Sequence, residues 1–193
     1  MTAPNQKEKD FAIKILLLGD LAVGKTSLID RYISSRFEED YRPTLGVNMV
    51  TKKMSVEKYN ARVTLIIWDI AGQKKYDVSR EMYFQGASGA FLVYDLTRHA
   101  TFKNIRDKWF LDFQEFGKKE GVNVLIGNKC DLDDERAVSV KEGQDLAEQL
   151  RASDFLETSA KNGENVERAF KTLVHAILEG ITERKKHQGR REG

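Results

Sequence analysis

The chain has 193 residues, 40% of them hydrophobic and 32% charged, which is ordinary for a globular protein with one buried core. Its formal net charge of +2 is too small for the strong positive field expected of a nucleic-acid-binding protein. The single cysteine, Cys130, excludes an internal disulfide, and no apolar run approaches the roughly 20 residues of a transmembrane helix. These features predict a protein of a reducing compartment, and we expect a cytoplasmic location.

The two ends of the chain are polar. Residues 1–10 lack the apolar segment of a signal peptide, and Thr2 stands where N-myristoylation requires glycine. Residues 183–193 are basic and contain no cysteine, so we expect no prenyl anchor. Basic charge alone allows weak electrostatic membrane contact, about 1 kcal/mol per Lys or Arg. The sequence therefore predicts a flexible lead-in at 1–10, one domain at 11–182 and a flexible tail at 183–193.

The first predicted strand and helix flank a glycine-containing loop. An apolar run at 11–18 leads into GDLAVGKTS at 19–27, which matches G-x-x-x-x-G-K-[ST], and residues 27–33 have helical apolar spacing. The glycines let the backbone wrap closely around an anion at the start of a helix, where N–H groups point inward. Lys25 can supply charge to the β- and γ-phosphates, and the Thr26 hydroxyl can ligate Mg²⁺. The pattern predicts phosphate binding by Gly19, Leu21, Ala22, Val23, Gly24, Lys25, Thr26 and Ser27.

The rest of the chain alternates between strand-like and helix-like segments. Two candidate strands at 46–56 and 62–69 are joined by a polar hairpin connection at 57–61. The later segments, in chain order, are a strand at 89–94, a helix at 101–116, a strand at 122–127, a helix at 140–150, a strand at 154–157 and a helix at 165–184.

This alternation predicts an α/β fold. Strands that alternate with helices form a mostly parallel sheet, here six-stranded, with helices on both faces. The early hairpin adds one antiparallel edge strand, and the nearly all-apolar segment at 63–68 suits a strand covered on both faces. In such sheets ligands bind beyond the carboxyl ends of the strands, where the phosphate-binding loop also lies.

The third predicted strand ends in residues suited to the terminal phosphate of a nucleotide. Asp69 can hold Mg²⁺ through water, opposite Thr26. Gly72 and Gln73 then offer a backbone N–H group and a neutral side-chain amide within reach of that phosphate.

The last two strands end in residues suited to a guanine base. Asp131 can accept two N–H bonds that a guanine edge offers and an adenine edge does not. Asn128 can brace the site, and the stem of Lys129 can pack on the base. Backbone N–H groups that can contact the base follow the last strand, at Ser159, Ala160 and Lys161.

Taken in order, these motifs resemble those of the Ras superfamily of small GTPases. They are the phosphate-binding loop, Asp-Ile-Ala-Gly-Gln at 69–73, Asn-Lys-Cys-Asp at 128–131 and Ser-Ala-Lys at 159–161. Trp68 before the second motif and Leu-Val-Tyr-Asp-Leu-Thr at 92–97 are most similar to the Rab branch. The resemblance covers about residues 11–182. It implies a P-loop NTPase (small G-protein) fold and a slow GTPase that switches between GTP and GDP states with Mg²⁺, in signalling or vesicle-trafficking-type regulation.

The resemblance further implies two loops that respond to the nucleotide. Switch I would lie near Glu38–Val47, where Thr44 would ligate Mg²⁺ and hold the γ-phosphate through its N–H. Phe37 would lie near the base, and Tyr41 would close over the phosphates. Switch II would occupy Asp69–Tyr83.

Catalytic residues and partners are also implied by the family. The catalytic residues would be Lys25, Thr44 and Gln73, with Gln73 orienting the attacking water, because this phosphoryl transfer needs positioning and charge stabilisation. Effector, exchange-factor and activating proteins would bind a monomer through the two switch segments. Those partners could bring the protein to a membrane as a peripheral component.

Several residues depart from the family pattern. Leu21 and Ala22 stand in the phosphate-binding loop where relatives have glycine or another small residue. We expect Leu21 to project toward the space that Gln73 and an activator's arginine would share. Effector and exchange-factor preferences cannot be carried over, because the switch segments also differ, at Leu45, Asn48, Met49, Lys74 and Lys75.

Two other functional classes remain open on the sequence. The first is a nucleotide-locked interaction module with negligible hydrolysis, motivated by Leu21 and Ala22. The second is a P-loop ATPase or small-molecule kinase, against which the guanine-selective carboxylate of Asp131 argues.

Overall fold

A computed structural model describes residues 8–34, 46–70 and 80–189 of the chain. Its centre is a six-stranded sheet with the strand order β2-β3-β1-β4-β5-β6. The strands are β1 Lys9–Leu18, β2 Val47–Val56, β3 Ala61–Ile70, β4 Gly89–Asp95, β5 Val122–Asn128 and β6 Phe155–Thr158.

Five helices surround the sheet within the described residues. They are α1 Lys25–Ser34, α2 Arg80–Phe84, α3, α4 Val140–Gln149 and α5 Val166–Gly189. Helix α3 consists of the consecutive segments His99–Asn104, the π-helical turn Ile105–Phe110 and Leu111–Phe116.

All neighbouring strands are parallel except the edge strand β2, which is antiparallel to β3. The hairpin between them is a 3₁₀ turn at Glu57–Tyr59 closed by Asn60 in the left-handed conformation, with φ 44°. Asparagine tolerates this conformation better than most residues, so the turn reverses the chain without glycine. The α/β fold class and the antiparallel edge strand are therefore confirmed.

Helices cover both faces of the sheet because its central strands are apolar on both faces. Alternate residues of β1 point to opposite sides, with Ile15 and Leu17 in one core and Leu16 and Leu18 in the other. The first core is completed by α1 and α5, and the second by α2, α3 and α4. None of the described helices is long and apolar enough to cross a membrane.

The first strand and the last helix extend beyond their predicted ends. Strand β1 begins at Lys9 rather than residue 11, because the Lys9 N–H group donates to the Asn60 carbonyl and Arg62 pairs with Asp10 at 2.9 Å. Helix α5 continues to Gly189, five residues beyond its predicted end at residue 184. Near that end, the Lys185 ammonium lies 5.8 Å from the centre of the Phe11 ring.

Candidate functional site

Residues from both halves of the chain meet at the carboxyl edge of the sheet. Strand β1 leads directly into the phosphate-binding loop at 19–24, beside Asp69 in β3. Asp95 ends β4, Asn128 ends β5, and Thr158 ends β6. Parallel pairing brings these strand ends to one edge, as expected for an α/β sheet.

The phosphate-binding loop requires its glycines. Gly19 has φ +151°, and a Cβ atom there would overlap the carbonyl oxygen of Val93 in the neighbouring strand β4. Gly24 has φ +96°, and a Cβ atom there would overlap the side-chain amide of Asn128. Ala22 adopts φ 60° without being glycine. The loop is therefore closely packed against β4 and β5 at both of its ends.

The Lys25 side chain folds back onto the loop that precedes it. It is buried, and its ammonium donates to the carbonyl oxygens of Gly19 and Asp20, at 2.8 Å each. Burial lowers the pKa of Lys25 to about 8, although the charges of Asp69 and Asp20 partly oppose this shift. An anion at this loop would supply the negative charge that favours the protonated ammonium.

Thr26 and Asp69 bring two oxygen groups together beside Lys25. The Thr26 hydroxyl donates to Asp69 Oδ2, and the Asp69 carboxylate is completely buried. Hydroxyl and carboxylate oxygens are the ligands that Mg²⁺ prefers, so this pair fits the predicted metal. The third predicted ligand, Thr44, lies outside the described residues.

Asn128 connects the phosphate-binding loop to the segment that follows β6. Its side-chain Nδ2 donates to the Val23 carbonyl at 2.9 Å. Its Oδ1 accepts from the Thr158 hydroxyl at 3.1 Å and from the Ala160 N–H group at 3.3 Å. One buried amide thus fixes the spacing between a loop suited to phosphates and a loop suited to a base.

The buried carboxylate of Asp95 binds the ammonium group of Lys129. The Lys129 ammonium lies 2.7 Å from Asp95 Oδ2, and Arg98 Nε donates to the same oxygen at 2.8 Å. Arg98 also donates through Nη2 to the carbonyl oxygen of Leu21, at 2.9 Å. Burial alone would raise the pKa of Asp95, but hydrogen bonds from Lys129, Thr97 and Arg98 hold it below its usual value.

Helix α1 anchors the segment that follows β6 through the side chain of Arg31. Ser159 and Ala160 are buried, while Lys161 is exposed. Arg31 donates through Nε to the Ala160 carbonyl at 2.8 Å, and its guanidinium also donates to the Lys161 carbonyl. Asp131, the predicted guanine-reading carboxylate, is exposed at the same edge of the sheet.

Cys130 has the environment of a structural residue. Its N–H group donates to the Thr158 carbonyl at 3.0 Å. Burial, assisted by Glu164, raises the pKa of its thiol to about 12. The thiolate needed for reactivity is therefore disfavoured at neutral pH.

Sequence reasoning missed three contributors to this site: Asp95, Arg98 and Arg31. The sequence did contain a signal for Asp95, because this residue ends a buried strand as Asn128 does. The two arginines had none, since each acts through a hydrogen bond to a distant backbone carbonyl. The predicted site residues that lie outside the described part of the chain are Phe37, Tyr41, Thr44, Gly72 and Gln73, together with the departures Leu45, Lys74 and Lys75.

Known proteins are similar to this chain over nearly its whole length. A model of the Ras family matches residues 14–179. Ras-related protein RABA6b of Arabidopsis thaliana is 41% identical over 92% of this chain and 76% of its own length. Ras-related protein RABC2a of the same plant is 42% identical over 92% and 83%, respectively. Ras-related protein Rab-11C of Dictyostelium discoideum is 36% identical over 94% and 80%.

Proposed function

The chain belongs to the Ras family of small GTPases and is a Rab-like GTP-binding switch; from this we propose that it hydrolyses GTP slowly in vesicle-trafficking-type regulation. The observation that carries the nucleotide assignment is the Asn128 bridge between Val23 and Ala160. It links a loop suited to phosphates with a loop suited to a base at a fixed separation. A nucleotide has both groups at a fixed separation as well.

The guanine base would be read at the exposed edge beyond β5 and β6. Asp131 would accept the two N–H groups of the guanine edge, and N–H groups at Ser159, Ala160 and Lys161 would contact its carbonyl oxygen. Lys129 would cover one face of the base with its methylene stem. Its ammonium is held by Asp95 at 2.7 Å, and about one-third of its side chain is exposed.

The phosphates and the metal would occupy the loop at 19–27. Lys25 would exchange its two loop carbonyls for phosphate oxygens, and Thr26, Asp69 and Thr44 would hold Mg²⁺. When bound, Mg²⁺ neutralises charge on the phosphate oxygens. Gln73 would orient the attacking water, while Lys25 and the Thr44 N–H group would stabilise the charge that develops on the γ-phosphate.

Partner proteins would recognise the switch segments Glu38–Val47 and Asp69–Tyr83. Two exposed methionines lie at these segments. Met49, just after the first segment, is 57% exposed, and Met82, near the end of the second, is 72% exposed. Trp68 pairs with Met49 in the sheet, and its ring lies 6.1 Å from that of Tyr83, the residue after Met82. Exposed apolar groups at a nucleotide-responsive border favour protein contacts there. We place the protein in the cytoplasm as a monomer that reaches membranes peripherally, through its partners.

The alternative of a nucleotide-locked module is favoured by one observation. Leu21 is 40% exposed at the phosphate-binding loop, and Arg98 holds its carbonyl oxygen at 2.9 Å. A bulky side chain on a backbone held in this way cannot easily move aside for water or for an activator's arginine. This arrangement would preserve nucleotide binding while suppressing hydrolysis.

The deciding experiment is single-turnover hydrolysis by the purified protein, with bound nucleotide identified before and after. Slow conversion of GTP to GDP, with ATP unused, supports the switch, whereas GTP that persists for many hours supports the locked module. Asp131→Asn should abolish the preference for guanine over xanthine nucleotides. Asp134→Asn, an exposed neighbour, is the matched control and should retain that preference.

A further inference from the structure

The Asp20 carboxylate in the phosphate-binding loop is held by two side chains of helix α3. Asn104 Nδ2 donates to Asp20 Oδ2 at 2.6 Å. Trp109 Nε1 donates to Asp20 Oδ1 at 2.8 Å. Each carboxylate oxygen therefore has its own donor, and both donors belong to an element outside the recognised nucleotide motifs.

The π-helical turn in α3 explains how both donors reach one carboxylate. Asn104 directly precedes the π-helical segment Ile105–Phe110, and Trp109 lies within that segment. The two residues are therefore five positions apart. In an α-helix, residues three or four apart share a face, so residues five apart diverge. Hydrogen bonding from i to i+5 widens the turn and brings such residues together. A π-helical turn inside a helix often marks a functional position.

The carboxylate needs such a restraint because of where it lies. The carbonyl oxygen of the same Asp20 accepts the Lys25 ammonium at 2.8 Å, and the Asp20 charge raises the pKa of Lys25. A carboxylate free to turn toward Lys25 would compete with phosphate for that ammonium. The two donors from α3 hold the carboxylate and so oppose such a turn toward Lys25.

We propose that Asn104 and Trp109 are positioning residues that set the nucleotide release rate by clamping Asp20 on the π-helical turn. This inference rests on the proposed nucleotide site. It makes α3 a control element of the phosphate-binding loop. The clamp also fixes the residue that precedes Leu21, while Arg98, at the start of the same helix, holds Leu21 itself.

The test is the release rate of a fluorescent GDP analogue preloaded with Mg²⁺ and chased with excess GDP. Asn104→Ala and Trp109→Phe should each accelerate release about tenfold, because each removes one hydrogen bond to a charged group. Asn104 is exposed, so its replacement leaves the core intact, and phenylalanine retains most of the buried Trp109 ring volume. Gln114→Ala, an exposed position on the same helix, is the control and should release at the wild-type rate.

A double-mutant comparison separates the clamp from a loss of packing. In an Asp20→Ala background, adding Asn104→Ala or Trp109→Phe should leave the release rate unchanged, because the carboxylate they restrain is gone. Release at the wild-type rate in both single variants would overturn the clamp, and so would equal acceleration with and without Asp20. A wild-type protein that retains no guanine nucleotide would instead refute the proposed function, and the clamp with it.

Discussion

The Lys129 ammonium and the Asp95 carboxylate lie 2.7 Å apart, joining the start of the guanine motif to the end of the adjacent strand β4. Asp95 is completely buried, whereas the Lys129 side chain is one-third exposed. Thr97 donates to the other carboxylate oxygen through its N–H group at 2.9 Å and its hydroxyl at 2.7 Å. The carboxylate is therefore fully hydrogen-bonded, and it fixes Lys129, which has the unusual backbone φ of 71°.

Replacing Asp95 should destabilise the fold and weaken nucleotide binding together. Asp95→Asn removes the charge that Arg98 and Lys129 face, and we expect the free energy of unfolding to fall by about 2–3 kcal/mol. Urea unfolding at neutral pH measures this change. Asp107→Asn is the control, because its partner Arg106 is exposed and such surface pairs contribute at most about 1 kcal/mol. Equal effects of the two substitutions would contradict the role assigned to Asp95.

The contribution of Asp95 to the free energy of unfolding should also depend on pH. Its pKa in the folded protein is below its ordinary value, so the folded state binds this proton less readily than the unfolded chain. The stabilisation is therefore present above about pH 4 and is lost as the pH falls through the folded pKa. The stability difference between wild type and Asp95→Asn should shrink as unfolding is measured at more acidic pH. A difference that stays constant down to acid pH would contradict this prediction.

Gly19 should be irreplaceable for a steric reason. Gly19→Ala places a Cβ atom against the Val93 carbonyl, which belongs to the rigid strand β4. We expect a loss of stability greater than the roughly 1–2 kcal/mol of backbone strain alone. Gly86→Ala supplies the control, since Gly86 also has positive φ, +78°, but has nothing near the added carbon. Thermal unfolding of both variants should show the larger loss at Gly19.

The strand-end residues were predictable because the sheet is parallel. Once strands and helices alternate, Asp69, Asn128 and the phosphate-binding loop must meet at one edge, and sequence order alone reveals this. The contacts of Arg98 with Leu21 and of Trp109 with Asp20 were not predictable. They join residues far apart in the chain and depend on side-chain reach and on a π-helical turn that apolar spacing does not reveal.

Nucleotide binding should take up a proton at Lys25. Burial lowers the pKa of Lys25 to about 8, and the charges of Asp69 and Asp20 oppose this shift only in part. Phosphate would raise this pKa, so near pH 8 about half a proton should enter with GDP. The uptake is measured by calorimetry of nucleotide-free protein in buffers of different ionisation enthalpy. Affinity should decline as the pH rises from about 8 toward 10, because the neutral amine must be protonated on binding.

The same pKa predicts that stability rises with pH, as it does for Asp95, but in an alkaline interval. Lys25 in the folded, nucleotide-free protein binds its proton less tightly than in the unfolded chain, where the pKa is 10.5. Stability without nucleotide should therefore rise with pH through this interval. Lys25→Met, which cannot titrate, should lose both this rise and the proton uptake. Proton uptake that survives in Lys25→Met would assign it to another group.

Leu21 should limit hydrolysis rather than nucleotide binding. Its contact with Arg98 uses the Leu21 carbonyl oxygen, so Leu21→Gly removes the bulky side chain while leaving that hydrogen bond in place. We expect single-turnover hydrolysis to accelerate about tenfold, equivalent to lowering the barrier by roughly 1.4 kcal/mol. Leu21→Ala should give an intermediate rate, and GDP release should remain close to that of the wild type. If all three proteins hydrolyse GTP equally, with or without an activator, the side chain does not obstruct Gln73 and slow turnover must arise elsewhere in the site.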